Sequence, residues 1–429
     1  MPLGMREDGN VARRTSITTQ VAIIGGGPAG LLLSHLLRRS GIESVVLELR
    51  DRDYTIQRVR AGVLENNAVQ LLTDVGLGER LHREGQRHDG IYLQYGGQRH
   101  HVSFRDLVGR SIWVYGQQEV VKDLLEAHDA AGTPVRYGVS NVQLENLEDG
   151  PVIVRFTQGG EDFELSADFV AGADGAHGVS RPSIPATEMK ALQREYPFGW
   201  LGILARVQPS TDELIYALHE RGFAMHSMRS QTVSRLYLQV DPHEDISNWP
   251  DDRIWEELDV RLGTPGWTLK HGEIFDKSIT PMRSLVSDPM RFGKLFLVGD
   301  SAHIVPPTGA KGLNLALADA SYLHDGLVAW YRSGDASGLD EYSPRSLQRV
   351  WQIQHFSAWM TKMLHRFNES PDSEHLEEVA FDYHAQLGQL SQLCGSERAM
   401  RTWPRSTRAC RSSPIRIELI CAELFDTGF

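Results

Sequence analysis

Long hydrophobic runs are missing from this sequence, in which 41% of the residues are hydrophobic and 23% are charged. A helix that crosses a membrane needs about 20 mostly apolar residues in a row, and no segment approaches that length. Cysteine is also scarce: three occur among 429 residues, all from Cys394 onwards, with neither a disulfide framework nor a zinc spacing. We therefore expect a cytoplasmic protein with no membrane partner and no metal site.

Positive charge is in deficit, because the formal net charge is −12 and acidic residues are spread along the chain. Nucleic acids and anionic membranes are repelled by such a surface, so we expect neither as a partner. A small anionic substrate is still compatible, since a local group of arginines can outweigh distant acidic residues. The length of 429 residues predicts two or three domains.

Residues 1–16 are polar and aperiodic, which predicts a disordered leader. An arginine pair at 13–14 raises the alternative of a twin-arginine export signal. The apolar run that follows is short and leads directly into glycines, so the leader is the favoured interpretation.

A strand–helix–strand unit comes next. Residues 20–24 are an apolar, β-branched run that stops at glycine, residues 29–39 are a leucine-rich helical stretch, and residues 44–47 are a second apolar run. This order predicts the start of a doubly wound α/β fold. Alternation predicts strands over 91–114, 152–156, 163–170 and 200–240, an apolar run predicts one over 294–298, and helical spacing covers 255–262, 313–331 and 342–364.

The glycines between the first strand and helix satisfy the G-x-G-x-x-G spacing. Gly25 permits a tight turn, Gly27 lets the backbone approach a pyrophosphate, and Gly30 lets the helix pack on the strand. Glu48 ends the next strand, where a carboxylate can accept hydrogen bonds from ribose hydroxyls. A glycine turn without a ligand is the alternative, and the order of strand, helix and acid makes it less favoured. The motif does not distinguish NAD from FAD, since both are held by the same interactions.

Two other segments carry a glycine–aspartate pair after a predicted strand. Residues 170–181 read VAGADGAHGVSR, and residues 297–314 read LVGDSAHIVPPTGAKGLN. Open α/β sheets bind ligands at the carboxyl ends of their strands, so both segments are placed to contact a cofactor. Together with the first motif, they resemble the aromatic hydroxylase family of FAD enzymes.

The resemblance covers residues 19–367 and is carried most specifically by five strings: RVRAGVLE at 58–65, YGQ at 115–117, YPFGW at 196–200, ELIY at 213–216 and IVPPTGAKGLNL at 304–315. It implies an α/β fold, in which a Rossmann-like FAD-binding fold is interleaved with a β-rich substrate domain and followed by C-terminal helices. The expected ranges are the FAD-binding domain at 17–190, the substrate domain at 191–290, FAD-contacting and helical segments at 291–400, and an atypical tail at 401–429.

The activity implied by the resemblance is a monooxygenase that holds FAD and hydroxylates a small phenolic acid, with 4-hydroxybenzoate as the expected substrate. NADPH or NADH would reduce the flavin, and O₂ would be carried to the ring as a flavin C4a-hydroperoxide. Removal of the phenol proton would make the ring carbon ortho to the phenol oxygen a better nucleophile. The family usually forms homodimers.

Cofactor contacts follow from the same resemblance. Arg60 and Gln117 would contact FAD, Asp300 would hold the ribityl hydroxyls, and Asn314 would steady the flavin and the tail. Lys311 would add positive charge near the flavin, which favours its anionic reduced form.

The substrate needs a cation for its carboxylate. Arg229 can hold a carboxylate with two parallel hydrogen bonds, and Ser227, two positions earlier on an expected strand, would face the same side. By resemblance these two residues and Tyr237 bind the carboxylate, while Tyr216 hydrogen-bonds the phenol oxygen. Each residue alone would more often be a surface arginine or a core tyrosine; their joint match favours the site.

Five further roles are implied. The carbonyl of Pro307 would assist at the phenol, and His88 would relay the proton to solvent; the alternative for His88 is an exposed loop histidine. Arg235 would influence movement of the flavin. His177 and Arg283 match positions tied to binding of the pyridine nucleotide.

Two departures from the family leave questions open. Residues 49–50 read LR, where NADPH-preferring relatives have arginine–glutamine, so the coenzyme preference is not fixed. From about Arg401 an arginine- and serine-rich tail without tyrosine replaces the family segment that carries a second pocket tyrosine. A one-nucleotide shift of the reading frame can restore that segment, so our hypothesis is a frameshift. Two other functions therefore stay open: a hydroxylase of another aromatic acid, and a flavoprotein that is uncoupled and releases H₂O₂.

Overall fold

The computed structural model describes residues 15–57, 62–133, 135–367 and 376–400. Most of the predicted leader, Arg60, and the tail with its frameshift hypothesis lie outside these ranges. Within them, no helix is long and apolar enough to cross a membrane.

The described strands are β1 (Thr15–Ile24), β2 (Ser44–Leu47), β3 (Val63–Glu65), β4 (Gln86–His88), β5 (Gly90–Tyr95), β6 (Gln98–Ser103), β7 (Ile112–Val114), β8 (Val135–Arg136), β9 (Val139–Glu145), β10 (Val152–Gln158), β11 (Glu161–Gly172), β12 (Lys190–Arg206), β13 (Ile215–Ala217), β14 (Ala224–Met228), β15 (Ser234–Val240), β16 (Glu273–Asp288), β17 (Arg291–Phe292), β18 (Leu295–Leu297) and β19 (His303–Ile304).

The described helices are α1 (Pro28–Arg39), α2 (Arg52–Gln57), α3 (Asn66–Asp74), α4 (Gly78–Glu84), α5 (Phe104–Val108), α6 (Gln117–Ala131), α7 (Asp251–Leu262), α8 (Gly312–Ser333), α9 (Ser337–Asp340), α10 (Tyr342–Leu364) and α11 (Leu376–Gly395).

The first sheet contains the nucleotide-binding strands. Its main path is β17-β18-β11-β1-β2-β8, with β10 and β9 added beside β11. The pairs β18–β11, β11–β1, β1–β2 and β2–β8 are parallel, and α1 packs against α6 and α8. The predicted doubly wound α/β fold is therefore confirmed. The expected leader extends two residues too far, because Thr15 and Ser16 already pair with Phe163 and Glu164 of β11.

The second sheet runs in the order β19-β16-β12-β15-β14-β13-β5-β6. Strands β5 and β6 come from the range expected for the FAD-binding domain, which shows how the two parts are interleaved. They form a hairpin across Gly96 and Gly97, whose φ angles of +56° and +73° suit a two-residue turn. Strand β16 pairs along most of β12, although sequence patterns predict no element over residues 273–288.

The two faces of the second sheet are covered by different helices. One face packs Leu236 and Leu238 against Leu258 of α7. The other face carries Tyr216 and meets α10 and α11 in a separate apolar cluster. The small antiparallel sheet β3-β7-β4 lies beside this second face, since Val63, Val114 and Ile112 belong to the same cluster. This arrangement places the site between the cofactor strands and the second sheet.

Candidate active site

The turn after β1 forms a cradle at the N-terminus of α1. Gly25 has a φ of +109°, and a Cβ there would lie 2.3 Å from the carbonyl oxygen of Ala173. A Cβ on Gly30 would lie 2.1 Å from the carbonyl oxygen of Gly25, so this glycine lets α1 approach the turn. Among the described residues, a Cβ on Gly27 would meet no atom within 4 Å, and no side chain caps α1. Open space therefore lies in front of uncapped backbone N–H groups, which is the arrangement that binds a phosphate.

Glu48 follows β2 and turns toward this cradle. Its Oε2 accepts a hydrogen bond from the N–H of Gly26 at 2.6 Å, and its Oε1 accepts one from the N–H of Arg50 at 2.9 Å. The carboxylate lies beside the glycine turn, where the predicted contact with a ribose requires it.

The three motifs predicted from the sequence converge, because they follow the neighbouring strands β1, β11 and β18. Arg181 of the second motif donates a hydrogen bond to the carbonyl oxygen of Ser301 in the third at 3.3 Å. A Cβ on Gly299 would lie 3.8 Å from the Cβ of Ala29, so Asp300 stands close to the first turn of α1. The site could thus contact one extended dinucleotide at several points.

Lys311 forms an ion pair with Glu65, and the two residues are 7% and 8% exposed. The positive charge expected at Lys311 is thus paired with a carboxylate, and its effect on the flavin stays a prediction. Asn314 fixes the same stretch, because its Oδ1 accepts from the N–H of Glu65 at 2.9 Å and its Nδ2 donates to the carbonyl of Val63 at 2.8 Å. Sequence patterns missed Glu65, since nothing pairs it with a lysine 246 positions later.

Gln117 begins α6 beside the same stretch. A Cβ on Gly62 would lie 2.0 Å from the carbonyl oxygen of Tyr115 and 2.6 Å from the backbone nitrogen of Gln117. This close approach brings Gln117 next to residues 62–65. Arg60, its expected companion at FAD, lies outside the described residues.

A cavity that is open to solvent, with an empty volume of about 740 Å³, connects the predicted flavin loop with the second sheet. Residues 308–311 line one side, and Leu214 and Tyr216 line another. Pro307 stands immediately before the lining loop, and its carbonyl oxygen accepts a hydrogen bond from the N–H of Ala310 at 2.9 Å. The cavity offers a ring-shaped ligand both a loop and a tyrosine.

One face of the second sheet gathers the residues predicted for the substrate. Tyr216 lies opposite Met225, which lies opposite Tyr237, and Ser227 lies opposite Arg235. Directly paired residues share a face, so all five side chains project to the same side. Burial, together with the nearby Tyr237, raises the pKa of Tyr216 above its ordinary value. The phenol of Tyr216 therefore stays protonated and can donate a hydrogen bond.

Arg229 lies just beyond β14 rather than on it, because the strand ends at Met228 and the N–H of Arg229 donates to the carbonyl of Val233 at 2.9 Å. The side chain still reaches the same face, where it lies near the phenol of Tyr237. Its Nε is buried and has no partner among the described residues, and burial lowers the pKa of the guanidinium. A buried cation with an unpaired donor is suited to an anionic ligand.

His88 is 1% exposed, which excludes the alternative of an exposed loop histidine. Neither ring nitrogen has a partner within the described residues. Burial lowers its pKa to about 4, although Glu213 and Asp212 oppose the shift. Glu213, which sequence reasoning left without a role, accepts from the N–H of Gly90 at 2.8 Å and contacts His101 at 2.6 Å. The buried, neutral His88 thus lies near Glu213, and Glu213 in turn contacts the half-exposed imidazole of His101.

The remaining basic residues do not line the cavity. The guanidinium of Arg235 lies 5.0 Å from the ring centre of Tyr237, with Asp276 at 4.0 Å. His177 and Arg283 are brought together at the surface, with Nε2 and Nη2 3.4 Å apart. Burial, and then repulsion by the nearby charge of Arg283, lowers the pKa of Arg181.

Fold and site define the class: the open cradle, the acid at the ribose position and the converging turns fit a bound dinucleotide cofactor. The family model described as an FAD binding domain matches residues 18–357. The chain is 47% identical over 389 residues to p-hydroxybenzoate hydroxylase of Acinetobacter baylyi, an alignment that covers 90% of this chain and 94% of the relative. The chain belongs to this FAD binding domain family and is an FAD-dependent aromatic monooxygenase.

More distant relatives share the fold. Rifampicin monooxygenase of Streptomyces venezuelae is 28% identical over 78% of this chain and 67% of its own length. The crystal structure of p-nitrophenol 4-monooxygenase from Pseudomonas putida DLL-E4 superposes with a TM-score of 0.76 at 18% identity, over 92% of this chain and 100% of the other. At such identity the likeness concerns the fold.

Proposed function

We propose that this enzyme hydroxylates 4-hydroxybenzoate to 3,4-dihydroxybenzoate, with O₂ and either NADPH or NADH as cosubstrates. The observation that carries the proposal is the buried guanidinium of Arg229, whose Nε has no partner among the described residues and which lies near Tyr237 on the sheet face that also carries Tyr216. A ligand with a carboxylate at one end and a phenol at the other matches this pair of groups. The name of the Acinetobacter relative supports the same substrate.

In this proposal Arg229 holds the carboxylate through charge-assisted hydrogen bonds, with Ser227 and Tyr237 as further donors. Tyr216 donates a hydrogen bond to the phenol oxygen and stabilises the phenolate. The phenolate raises the electron density at the ring carbon ortho to this oxygen. The carbonyl of Pro307 accepts from the phenol before ionisation, and His88 passes the proton toward solvent.

Bound FAD supplies electron transfer and oxygen activation. The cradle residues Gly25, Gly27 and Gly30, with Glu48 and Asp300, hold the adenosine, pyrophosphate and ribityl parts. The loop at residues 308–311 is held against the flavin ring by Gln117, Asn314 and the Lys311–Glu65 ion pair. Arg235 influences movement of the flavin. Apolar walls such as Phe356 and Met360 limit water at the reacting carbon.

The coenzyme is proposed to dock at the surface near His177 and Arg283. Arg283 and Arg181 form a local positive region beside His177, on a chain of net charge −12. Phosphate groups of NADPH or NADH are attracted to such a region. A homodimer in the cytoplasm completes the proposal; light scattering of the purified protein and cell fractionation test these two parts.

The activity test quantifies 3,4-dihydroxybenzoate against H₂O₂ in the purified holoenzyme supplied with each coenzyme, O₂ and 4-hydroxybenzoate. Product in step with coenzyme oxidation supports the proposal. Substrate-stimulated oxidation that yields only H₂O₂ shows an uncoupled enzyme, and absence of stimulation shows that another aromatic acid is the substrate. Arg229→Met should abolish substrate stimulation, whereas Arg253→Met, on the exposed side of α7, should leave it intact.

A further inference from the structure

A buried ion pair lies behind the turn that carries Asp300. His303 is in β19 and Asp319 is in α8, each is 1% exposed, and His303 Nε2 lies 2.6 Å from Asp319 Oδ2. Neither residue lines the cavity described above. The ion pair therefore lies outside the cavity, and contact with the substrate does not explain its presence.

The same carboxylate oxygen also holds the turn itself. Asp319 Oδ2 accepts a hydrogen bond from the N–H of Gly299 at 3.0 Å. Gly299 has a φ of +67°, and a Cβ on it would lie 3.0 Å from the Cβ of Ala316 in α8. Asp319 thus holds the residue before Asp300 and, through His303, the chain three residues after it. Both ends of the turn are tied to one atom of α8.

The His303–Asp319 ion pair also holds the chain where it passes from the first sheet to the second. His303 pairs with Val286 of β16, at the edge of the second sheet, whereas residues 295–297 pair with β11 of the first sheet. A buried ion pair contributes little net stability compared with apolar residues of the same volume, because both charges are taken out of water. Such a pair is better explained by the geometry that it fixes.

We propose that His303 and Asp319 are positioning residues for FAD, which act by presetting the turn that presents Asp300 to the cofactor. The inference rests on the expected contact between Asp300 and FAD, and it does not depend on which aromatic acid the enzyme hydroxylates. FAD affinity, measured without any substrate, therefore tests it separately from the proposed substrate.

The experiment titrates FAD into the apoprotein of Asp319→Asn, His303→Gln and the double variant, following flavin fluorescence. Each single variant should bind FAD about tenfold or more weakly, and the double variant should lose little beyond the weaker single variant, because the two side chains act as one unit. Additive losses, or affinities within about twofold of the parent, would overturn the proposal.

The matched control is His128→Gln. His128 is 2% exposed, and its Nδ1 contacts the carbonyl of Leu124 at 2.7 Å within α6, so the change loosens the same domain away from the turn. FAD affinity should stay at the parent value in this variant; an equal loss there would show general loosening and overturn the proposal. Circular dichroism gives the folded fraction of each variant, so that affinity refers to folded protein only.

The pH profile of FAD affinity supplies a readout that loss of packing does not reproduce. Burial lowers the pKa of His303, but the attraction of Asp319 and then Asp300 outweighs it and raises the pKa, against the repulsion of Arg349. Protonated His303 is thus favoured by the native turn, and FAD affinity should fall as the pH rises through this raised pKa. Asp319→Asn should flatten that fall; a profile identical to the parent would contradict the proposal.

Discussion

Replacing each cradle glycine by alanine should separate folding from cofactor binding. The three positions belong to one sequence motif but have different surroundings. A methyl group at Gly27 meets no atom of the described residues within 4 Å, whereas at Gly30 it would lie 2.1 Å from a backbone oxygen. At Gly25 the φ of +109° disfavours any side chain even before the contact with Ala173 is considered.

Gly27→Ala should leave the apoprotein nearly as stable as the parent, since an N-cap glycine replaced by alanine costs about 1 kcal/mol or less. Its methyl group would occupy the space in which the pyrophosphate approaches the N–H groups of α1. Loss of one hydrogen bond to a charged group costs about 1.5–3 kcal/mol. FAD should therefore bind about 10- to 150-fold more weakly, at 1.4 kcal/mol for each factor of about ten.

Gly30→Ala should instead destabilise the apoprotein itself. A contact of 2.1 Å with the carbonyl oxygen of Gly25 requires the backbone of α1 or of the turn to move. Overpacking of this kind costs about 1–3 kcal/mol. The variant should lose FAD as well, because the moved turn no longer presents its N–H groups.

The assay combines urea unfolding of the apoproteins with FAD titration. Gly388→Ala serves as the control, because this glycine lies in α11 and an added Cβ would meet no atom within 4 Å in the part of the chain that the structure describes, the backbone of the helix itself apart. Alanine in place of glycine in a helix should stabilise by about 1 kcal/mol. The reasoning is refuted if Gly27→Ala binds FAD as tightly as the parent, or if the Gly30→Ala apoprotein is as stable as the parent.

Three further outcomes are expected. Arg229→Met should raise the Kd for 4-hydroxybenzoate about 30-fold or more, because removing one partner of a buried charge pair costs about 2–5 kcal/mol; titration of the flavin absorbance measures it, and an unchanged Kd contradicts the site. Tyr216→Phe should lower kcat about 10²- to 10⁴-fold with a smaller change in Kd, the range typical of lost acid–base assistance; stopped-flow turnover checks it, and full activity would remove Tyr216 from the mechanism. Burial lowers the pKa of His88 and His226 to about 4 and that of His365 to about 3, so the unfolded chain takes up more protons below about pH 6.5 and each histidine costs about 2 kcal/mol of stability by about pH 5. Urea unfolding at about pH 7 and about pH 5 should show this loss, and equal stability at both values would refute it.

Elements whose burial follows local composition could be predicted from the sequence. Strand β2 and helix α10 have the predicted bounds, because an apolar run fits a central parallel strand and regular apolar spacing fits a helix covered on one side. Strand β16 could not be predicted, because all of its first nine residues are exposed or only partly buried, and they include charged residues and a proline. Its pairing with β12 determines its conformation, and that partner is distant in sequence.

The candidate site shows the same division. The glycine motifs were predicted because their function resides in neighbouring backbone atoms, and the structure places them together. The pairing of Lys311 with Glu65 could not be predicted, because only the fold brings residues 246 positions apart into contact. The position of Arg229 beyond the end of β14 was also missed, since alternation does not show where a short strand stops.

The third motif explains why cofactor strands and substrate face can keep a fixed relation. Residues 295–297 pair with the first sheet, and residues 303–304 already pair with the second. The intervening turn carries Asp300, and the loop that lines the cavity follows within a few residues. So short a connection leaves little freedom between the position of FAD and that of the tyrosine face. Substitutions at the β19 edge of the second sheet should therefore weaken FAD binding more than they weaken substrate binding.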